Sequence, residues 1–251
     1  TTAQYDDHGN ATWLEVDSLD GHKKVTMSIY DNSYDPVSET SLTCTLLGRL
    51  RRSTVTASSP TSPAQTRVSS FDYHPTTGLL TSEVVEPDRA SDPGNYTLTT
   101  TYQYDDFGNK TTVTTTGGGL TIARTATTAY DANGRLLVST TNALGHTETY
   151  AYDQALGVVT STTGPNGLTT TWAYDGFARK IQETRADQTQ TFIHYRWAGV
   201  DTPTDALYFI ETESSGGPPA LVCHDRMGRA IASYAINGGK IDGSARIVVQ
   251  K

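Results

Sequence analysis

The sequence has little charge, little sulfur and no long apolar run. Charged residues make up 18% and hydrophobic residues 35% of the 251 residues, below the usual ~25% and, with glycine counted, ~45–50% of globular chains. Cys44 and Cys223 are its only cysteines, too few for a disulfide scaffold or a four-cysteine zinc site. Since no run approaches the ~18 apolar residues of a membrane-spanning helix, no membrane span is predicted.

The balance of charge is acidic, with Lys+Arg 19 against Asp+Glu 27 and a formal net charge of −8. Proteins that bind nucleic acids normally carry a basic surface. No nucleic-acid partner is therefore predicted. The chain begins at Thr1 and lacks a charged-then-apolar leader. That beginning favours a processed product or an excised piece, with any export signal outside it.

Threonine, serine, glycine and tyrosine take the place of the missing charge, with 22 Gly and 14 Tyr. Threonine and tyrosine favour a pleated, half-buried surface, and glycine marks turns between strands. Apolar residues are nowhere gathered into the 3.6-residue period of an amphipathic helix. The nearest candidate, residues 205–211, contains Tyr208, Phe209 and Ile210 and is predicted as a strand. The chain is therefore predicted to be all-β.

One hexapeptide recurs along the chain: an aromatic residue, Asp, two variable residues, Gly, then Asn or Arg. Three of its six copies depart from the pattern, since an extra residue precedes Gly157, Ala178 replaces the glycine and His224 replaces the tyrosine. Degenerate copies lie at 73–79 and 46–50. The structural motif residues of the six copies are Tyr5, Asp6, Gly9, Tyr104, Asp105, Gly108, Tyr130, Asp131, Gly134, Arg135, Tyr152, Asp153, Gly157, Tyr174, Asp175, Arg179, Asp225, Gly228 and Arg229.

The spacing of the copies indicates a repeating β-hairpin. Four successive motif tyrosines are separated by 26, 22 and 22 residues, and 22 residues suit two strands of ~5–6 residues and two turns. After Tyr152, residues 158–163 are predicted to extend, 164–167 to turn and 168–174 to return. The Ser/Thr/Pro-rich stretch 53–67 falls outside this pattern and is predicted as a solvated loop or an extended edge.

Each motif residue has a local structural role. The aspartate can accept a hydrogen bond from the backbone two residues on, which closes an Asx-turn, and the glycine supplies positive φ without a Cβ clash. The tyrosine ring covers a neighbouring strand while its hydroxyl reaches water or a carbonyl. An arginine after the glycine lays its stem on the sheet with its charge in solvent. If φ at Gly134 is positive, valine there should destabilise the turn by about 1 kcal/mol or more.

No catalytic, cofactor-binding or metal site is predicted. The histidines lack the i, i+4 helical spacing of a zinc protease, and Asp105, Asp106 and Asn109 fall short of an EF-hand's ligand count. The acidic residues around Pro87 could serve glycoside hydrolysis only if a cleft held them. Glycines 117–119 precede no helix that could bind phosphate. The sequence therefore predicts a protein that is not an enzyme and uses no cofactor.

The repeats resemble the Rhs/YD-repeat family, most literally over residues 141–196. The resemblance is closest to the Rhs-like part of large bacterial toxins, including the B/C components of insecticidal toxin complexes, and teneurins have a similar barrel. It implies serial antiparallel hairpins that form a segment of a spiralling sheet, shell or barrel. Residues 1–251 are predicted to be a single array, clearest over 97–229, and an internal fragment of a longer shell.

Three functions are compatible with this resemblance. The favoured one is a secreted or cell-surface shell segment whose partners are an enclosed C-terminal toxin domain and the rest of the shell. The second is an adhesion module that binds a glycan or protein receptor, and the least favoured is an enzyme. A shell predicts few ligand-sized pockets, a binding module predicts exposed aromatic residues clustered on one patch, and an enzyme predicts convergent carboxylates or a histidine–nucleophile pair.

Overall fold

The computed structural model describes residues 1–31, 48–89, 96–200, 202–236 and 247–249. Cys44 and the first two residues of the degenerate copy at 46–50 lie outside these ranges. The described residues form nineteen strands, one 3-10 turn at Pro87–Arg89 and no α-helix, and the all-β prediction is confirmed. The strands are β1 (Thr2–Tyr5), β2 (Ala11–Asp17), β3 (Lys23–Asp31), β4 (Arg49–Ser59), β5 (Ser62–Tyr73), β6 (Leu80–Val85), β7 (Leu98–Tyr104), β8 (Lys110–Gly117), β9 (Arg124–Tyr130), β10 (Leu137–Thr141), β11 (Thr147–Asp153), β12 (Val158–Thr163), β13 (Thr169–Tyr174), β14 (Lys180–Thr184), β15 (Gln190–Trp197), β16 (Tyr208–Ser214), β17 (Ala220–His224), β18 (Ala230–Ile236) and β19 (Ile247–Val249).

The chain divides into two compact units. Unit 1 comprises Thr1–Arg135 and Thr140–Gly145, and it contains β1 to β9. Unit 2 comprises Leu136–Ser139 and His146–Lys251, and it contains β11 to β19. The residues of β10 are divided between the two. That residues 1–251 form a single array stays a prediction.

Strands pair in chain order within each unit. In unit 1 every strand from β1 to β9 pairs antiparallel with the next. In unit 2 the same is true from β11 to β19. Short connections favour this arrangement because they return the chain directly beside the strand it has left. The predicted series of antiparallel hairpins is confirmed.

Residues 53–67 form a hairpin, and the prediction of a loop or an extended edge was wrong. They belong to the long strands β4 and β5, which turn tightly at Pro60 and Thr61. Neither strand is an edge, since β4 also pairs with β3 and β5 with β6. The hydroxyls of Thr56 and Thr66 lie 3.1 Å apart across the pair. Here the strand propensity of threonine and valine outweighs the loop-like Ser and Pro content.

The hairpins have one aromatic face and one face of small polar side chains. In β13, Trp172 and Tyr174 are half-buried, whereas Thr171 and Ala173 on the other face are exposed. Strand β7 alternates in the same way. Among the described residues the buried apolar side chains are Leu221 and Cys223 alone, both in β17. These units are therefore extended hairpin sheets with a thin core, and the motif tyrosines lie on their aromatic face.

Candidate functional site

The motif residues are brought together at the turns that follow β1, β7, β9, β11, β13 and β17. The turn after β7 shows the geometry. The Gly108 N–H donates to the Asp105 carbonyl at 3.0 Å, and the Asp105 N–H donates to the Asn109 carbonyl at 3.0 Å. Asp105 Oδ1 accepts from the N–H groups of Phe107 and Asn109 at 2.9 and 2.8 Å. Gly108 has a φ of 85°, and the turn is the expected Asx-turn closed by a left-handed glycine.

Three more copies repeat these bonds. The N–H groups two and four residues after Asp6, Asp175 and Asp225 donate to that aspartate's Oδ1 at 2.8–3.0 Å. At Asp131 the N–H of Arg135 donates to Oδ1 at 2.6 Å. At Asp153 the donors are two and three residues on, both at 2.9 Å, because this copy has one extra residue before its glycine. The aspartate thus organises the turn in all six copies.

Two residues that replace glycine keep the left-handed backbone. Ala178 has a φ of 60° and Gln188, in the turn between β14 and β15, a φ of 67°. The Ala178 N–H still donates to the Asp175 carbonyl at 3.0 Å, so the turn is the same as at a glycine. A Cβ in this region clashes with the following carbonyl oxygen. The substitutions therefore preserve the hairpins and leave local strain in the backbone.

The residue after the glycine binds the second oxygen of the aspartate. Arg179 donates from Nε and Nη2 to Asp175 Oδ2 at 2.7 and 2.6 Å, and Arg229 makes the same pair of bonds to Asp225 Oδ2, both at 2.7 Å. Asn109 Nδ2 donates to Asp105 Oδ2 at 3.1 Å. At these two turns the guanidinium is held by the motif's own aspartate, while the arginine side chain stays 47% and 72% exposed, in agreement with the expectation of a charge in solvent.

These contacts lower the pKa of the turn carboxyls. The side-chain hydrogen bond from Arg179 is the main reason that the pKa of Asp175 lies below its ordinary value. The pKa of Asp225 is lowered first by the backbone N–H of Arg229 and then by its side chain. Desolvation acts to raise the pKa of Asp105, but the hydrogen bonds from Asn109 and the turn backbone outweigh it and the pKa falls. The carboxylates are therefore stabilised in their charged form.

A β-bulge accompanies seven of the turns, and sequence reasoning missed it. Tyr104 pairs with Lys110 and Gln103 with Thr112, so Thr111 is an extra residue. In every case the extra residue lies three positions after the residue at the glycine position. Its sequence signal is weak, because four of the seven are threonine in a threonine-rich chain. The extra residues are Thr12, Arg51, Thr81, Thr111, Thr160, Ile181 and Ile231.

The sequence analysis also missed a copy of the motif that is split by an insertion. Tyr30 and Asp31 end β3, while Gly48 and Arg49 begin the return into β4. The Gly48 N–H donates to the Asp31 carbonyl at 3.1 Å, as in the compact turns, and Gly48 has a φ of 76°. The degenerate copy at 46–50 is therefore the second half of a motif whose first half is Tyr30-Asp31. The Tyr-Asp pair was its only local signal.

Three tyrosines, Tyr73, Tyr104 and Tyr174, connect their own turn to the preceding one. The Tyr104 hydroxyl donates to the carbonyl of Leu80 at 2.8 Å, and Leu80 lies two residues after Gly78 of the preceding turn. Tyr73 and Tyr174 make the same bond, at 3.0 and 2.8 Å, to the residue two after the preceding glycine. Desolvation raises the pKa of all three hydroxyls. At these three positions the tyrosine therefore also binds the preceding turn.

Neighbouring turns also touch directly. Asn109 Nδ2 donates to the carbonyl of Gly134 in the next turn at 2.7 Å. A Cβ on Gly134 would lie 2.3 Å from carbon atoms of the Phe107 ring. Arg49 donates to the carbonyl of Gly78 and its guanidinium lies 5.1 Å from the centre of the Tyr73 ring. Within each unit, we call the series of hexapeptide turns the turn row.

The titratable groups of the described residues are paired or dispersed. Groups of three or more His, Cys, Asp or Glu side chains that could hold a metal do not occur in this part of the chain. The buried carboxylate of Glu86 pairs with Arg67 at 3.2 Å, and Asp88 pairs with Arg52. Burial raises the pKa of the Cys223 thiol. No helix within the described ranges is long and apolar enough to cross a membrane.

Comparison with known proteins identifies the motif. Residues 130–157, which hold the turns that begin at Tyr130 and Tyr152, match the family model described as RHS Repeat. This stretch of the chain is therefore similar to an RHS repeat. The resemblance to the Rhs/YD-repeat family is thereby confirmed. No curated protein matches the chain.

One solved structure has the same fold as this chain. A crystal structure of TcdB2-TccC3-Cdc42 is similar over 95% of the chain, with 14% identity and a TM-score of 0.53. A crystal structure of TcdB2-TccC3 without its hypervariable C-terminal region aligns over 98% of the chain at 12% identity, but its TM-score of 0.24 carries no weight. The chain spans only 14% and 18% of the length of these two proteins.

Proposed function

We propose that this RHS-repeat chain is a wall segment of a shell that encloses a toxic C-terminal cargo domain. The observation that carries the proposal is the turn row, in which the hydroxyls of Tyr73, Tyr104 and Tyr174 bind the turn before them. Contacts that repeat from hairpin to hairpin allow a sheet to grow in one direction without a central core, as repeat proteins do. A growing sheet of this kind is suited to building a wall.

The burial pattern supports the same function. A compact domain buries many apolar side chains in a core. Among the described residues only two apolar side chains are buried, Leu221 and Cys223. The hairpins instead use half-buried tyrosines and backbone hydrogen bonds, so both faces of the sheet stay accessible. A wall needs two accessible faces, one toward its cargo and one toward solvent. Its action is enclosure, which requires no catalytic group.

The comparisons support a relation to toxin complexes at the level of fold. The TcdB2-TccC3-Cdc42 structure shares the fold over almost the whole chain, and its name is that of an assembly with partner proteins. By this likeness the partners of the chain are the remaining shell and the enclosed cargo, in a secreted or cell-surface protein. The cargo, the enclosure and the location are parts of the proposal.

Protease protection tests enclosure in the natural full-length protein that contains this segment. The half-life of its C-terminal domain under trypsin is compared with that of the same domain expressed alone. Circular dichroism checks that both proteins are folded. Enclosure predicts that the domain survives at least about ten times longer within the whole protein, because the wall excludes the protease. Equal half-lives would contradict the proposal.

A further inference from the structure

Two asparagines among the described residues precede a turn glycine. Asn133 is followed by Gly134 in the turn after β9, and Asn166 by Gly167 in the turn between β12 and β13. Glycine has no side chain to shield its backbone nitrogen. An asparagine before glycine is therefore especially open to attack by that nitrogen. A third such pair, at 237–238, lies outside the described ranges.

The reaction that an Asn-Gly pair allows is deamidation. The glycine nitrogen attacks the side-chain Cγ of the asparagine, and a new C–N bond closes a succinimide ring. The proton of the glycine nitrogen passes through water to the departing amide nitrogen, which leaves as ammonia. Water then opens the ring to isoaspartate or aspartate. Water is the only co-reactant, and nothing is oxidised or reduced.

Both turns restrain the attacking nitrogen by the same hydrogen bond. The Gly134 N–H donates to the Asp131 carbonyl at 2.9 Å. The Gly167 N–H donates to the Gly164 carbonyl at the same distance, 2.9 Å. Both asparagine side chains belong to exposed residues. Because a hydrogen-bonded N–H cannot attack, the reaction requires local opening of either turn.

The neighbouring hexapeptide holds Gly134 at two further points. Asn109 Nδ2 donates to the Gly134 carbonyl at 2.7 Å. The Phe107 ring lies so close that a Cβ on Gly134 would be 2.3 Å from its carbon atoms. Ring closure has to rotate the peptide group between Asn133 and Gly134, which moves the glycine against both contacts. Opening of this turn therefore breaks contacts with another turn as well as its own bond.

Gly167 is more accessible than Gly134. Among the described residues a Cβ on Gly167 would meet nothing within 4 Å, and Gly167 is exposed whereas Gly134 is half-buried. The Leu168 N–H donates to Asn166 Oδ1 at 3.2 Å. This bond folds the Asn166 side chain back over the backbone that follows, the direction in which its Cγ must approach the Gly167 nitrogen. The turn bond is therefore the main restraint on that nitrogen.

We propose that Asn166 is a site of spontaneous deamidation in the folded protein and that contacts from the neighbouring hexapeptide protect Asn133 from it. The product carries a new carboxylate and, as isoaspartate, one more carbon in the main chain. It lies beside the pair of Thr163 and Thr169, whose hydroxyls are 2.8 Å apart. The modification thus alters the end of the β12–β13 hairpin. The inference goes beyond enclosure and does not depend on it.

Peptide mapping by mass spectrometry tests the proposal on the 251-residue chain. The protein is incubated at mildly alkaline pH, and the change in mass from amide to acid is followed separately at Asn133 and Asn166. We expect Asn166 to react about tenfold faster or more, because two further contacts must open before Gly134 is free. Asn166→Gln should remove the change at position 166, since glutamine would have to close a larger ring.

The protection of Asn133 is tested by removing each contact with Gly134. Phe107→Ala and Asn109→Ala should each speed deamidation at Asn133 by about threefold or more and leave the rate at Asn166 unchanged. Circular dichroism spectra that match the wild type establish that the variants are folded. The unfolded wild-type chain in urea is the control, because the same dipeptide should then react at similar rates in both positions.

Three results would overturn the proposal. The first is a rate at Asn133 that equals or exceeds the rate at Asn166 in the folded chain. The second is an unchanged rate at Asn133 in both Phe107→Ala and Asn109→Ala. The third is a preference for Asn166 that persists undiminished in urea, because the difference would then come from the local sequence and not from the turn contacts.

Discussion

At the scale of single residues, Ala178 and Gln188 occupy turn positions that glycine fills elsewhere, with φ of 60° and 67°. A Cβ in the left-handed region costs roughly 1–2 kcal/mol. Glycine avoids this strain but makes the unfolded chain more flexible, which offsets about 0.5–1 kcal/mol of the gain. The two effects leave a net advantage for glycine at both positions.

We therefore expect Ala178→Gly and Gln188→Gly each to raise the free energy of unfolding by about 0.5–1 kcal/mol. Urea denaturation followed by circular dichroism measures the change. Ala173→Gly is the matched control, because Ala173 is an exposed strand residue without positive φ, and glycine there should destabilise the protein. A loss of stability in Ala178→Gly would show that the turn is not strained.

Substitutions at Gly134 and Gly145 distinguish the cost of backbone strain from the cost of a steric clash. Both have positive φ, 65° and 80°, but a Cβ on Gly134 would overlap the Phe107 ring, whereas a Cβ on Gly145 meets nothing within 4 Å. Alanine at Gly145 should destabilise by about 1 kcal/mol, and alanine or valine at Gly134 by more. Adding Phe107→Ala should recover part of the loss at Gly134. Equal losses in the two alanine variants would contradict the turn-to-turn contact.

The lowered pKa values of the turn aspartates predict that the free energy of unfolding decreases at acidic pH. Asp175 and Asp225 have a lower pKa when folded, so they stabilise the fold fully above their unfolded pKa of about 3.9 and lose that contribution as the pH falls through the folded pKa. Asp175→Asn keeps the Asx-turn acceptor but removes the charge. Its unfolding free energy should be lower at pH 7 and fall less steeply below about pH 5, measured by urea denaturation. An unchanged acid slope would contradict the role of the Arg179 pair.

At the scale of elements, the tyrosine hydroxyls hold successive hairpins together. Tyr104→Phe and Tyr174→Phe remove the bonds to Leu80 and Val159 while keeping the ring. Each should lower the free energy of unfolding by about 0.5–1.5 kcal/mol, the usual net value of such a bond. Tyr5→Phe is the control, because the Tyr5 side chain is 65% exposed. If all three variants match the wild type in thermal denaturation, the hydroxyl contacts do not stabilise the row.

Some strands and turns could be predicted from the sequence, and others could not. The hexapeptide determines its turn through bonds between residues two to four apart, so strand ends such as Tyr104 and Tyr174 were predictable. The bulged residue at Thr111 depends on pairing with another strand, and nothing in its identity distinguishes it. The split motif at Tyr30 and Gly48 was missed because sixteen residues separate its halves, whereas the hairpin over 53–67 was missed because its composition resembles a loop.

At the scale of the whole molecule, the repeat predicted pairing in chain order, and the strands of each unit pair in that way. A groove beside Trp197 was not predictable. It arises where the motif is absent, between residues 197 and 208, and its walls come from two turns and two strands that only the fold brings together.

The thin core has a consequence for the whole molecule. Since the stability of each hairpin rests largely on its neighbours, the wall should depend on its continuity, as in other repeat arrays. Enclosure would then be a property of many hairpins together. The regular turns supply the repeated contacts on which the proposed wall rests.

Electron cryomicroscopy of the natural full-length protein that contains this segment tests the central claim most directly. The account predicts that the hairpins of residues 1–251 lie side by side in chain order in the wall of a closed hollow body, with separate density inside it. A map in which these hairpins form compact lobes around no enclosed volume would contradict it.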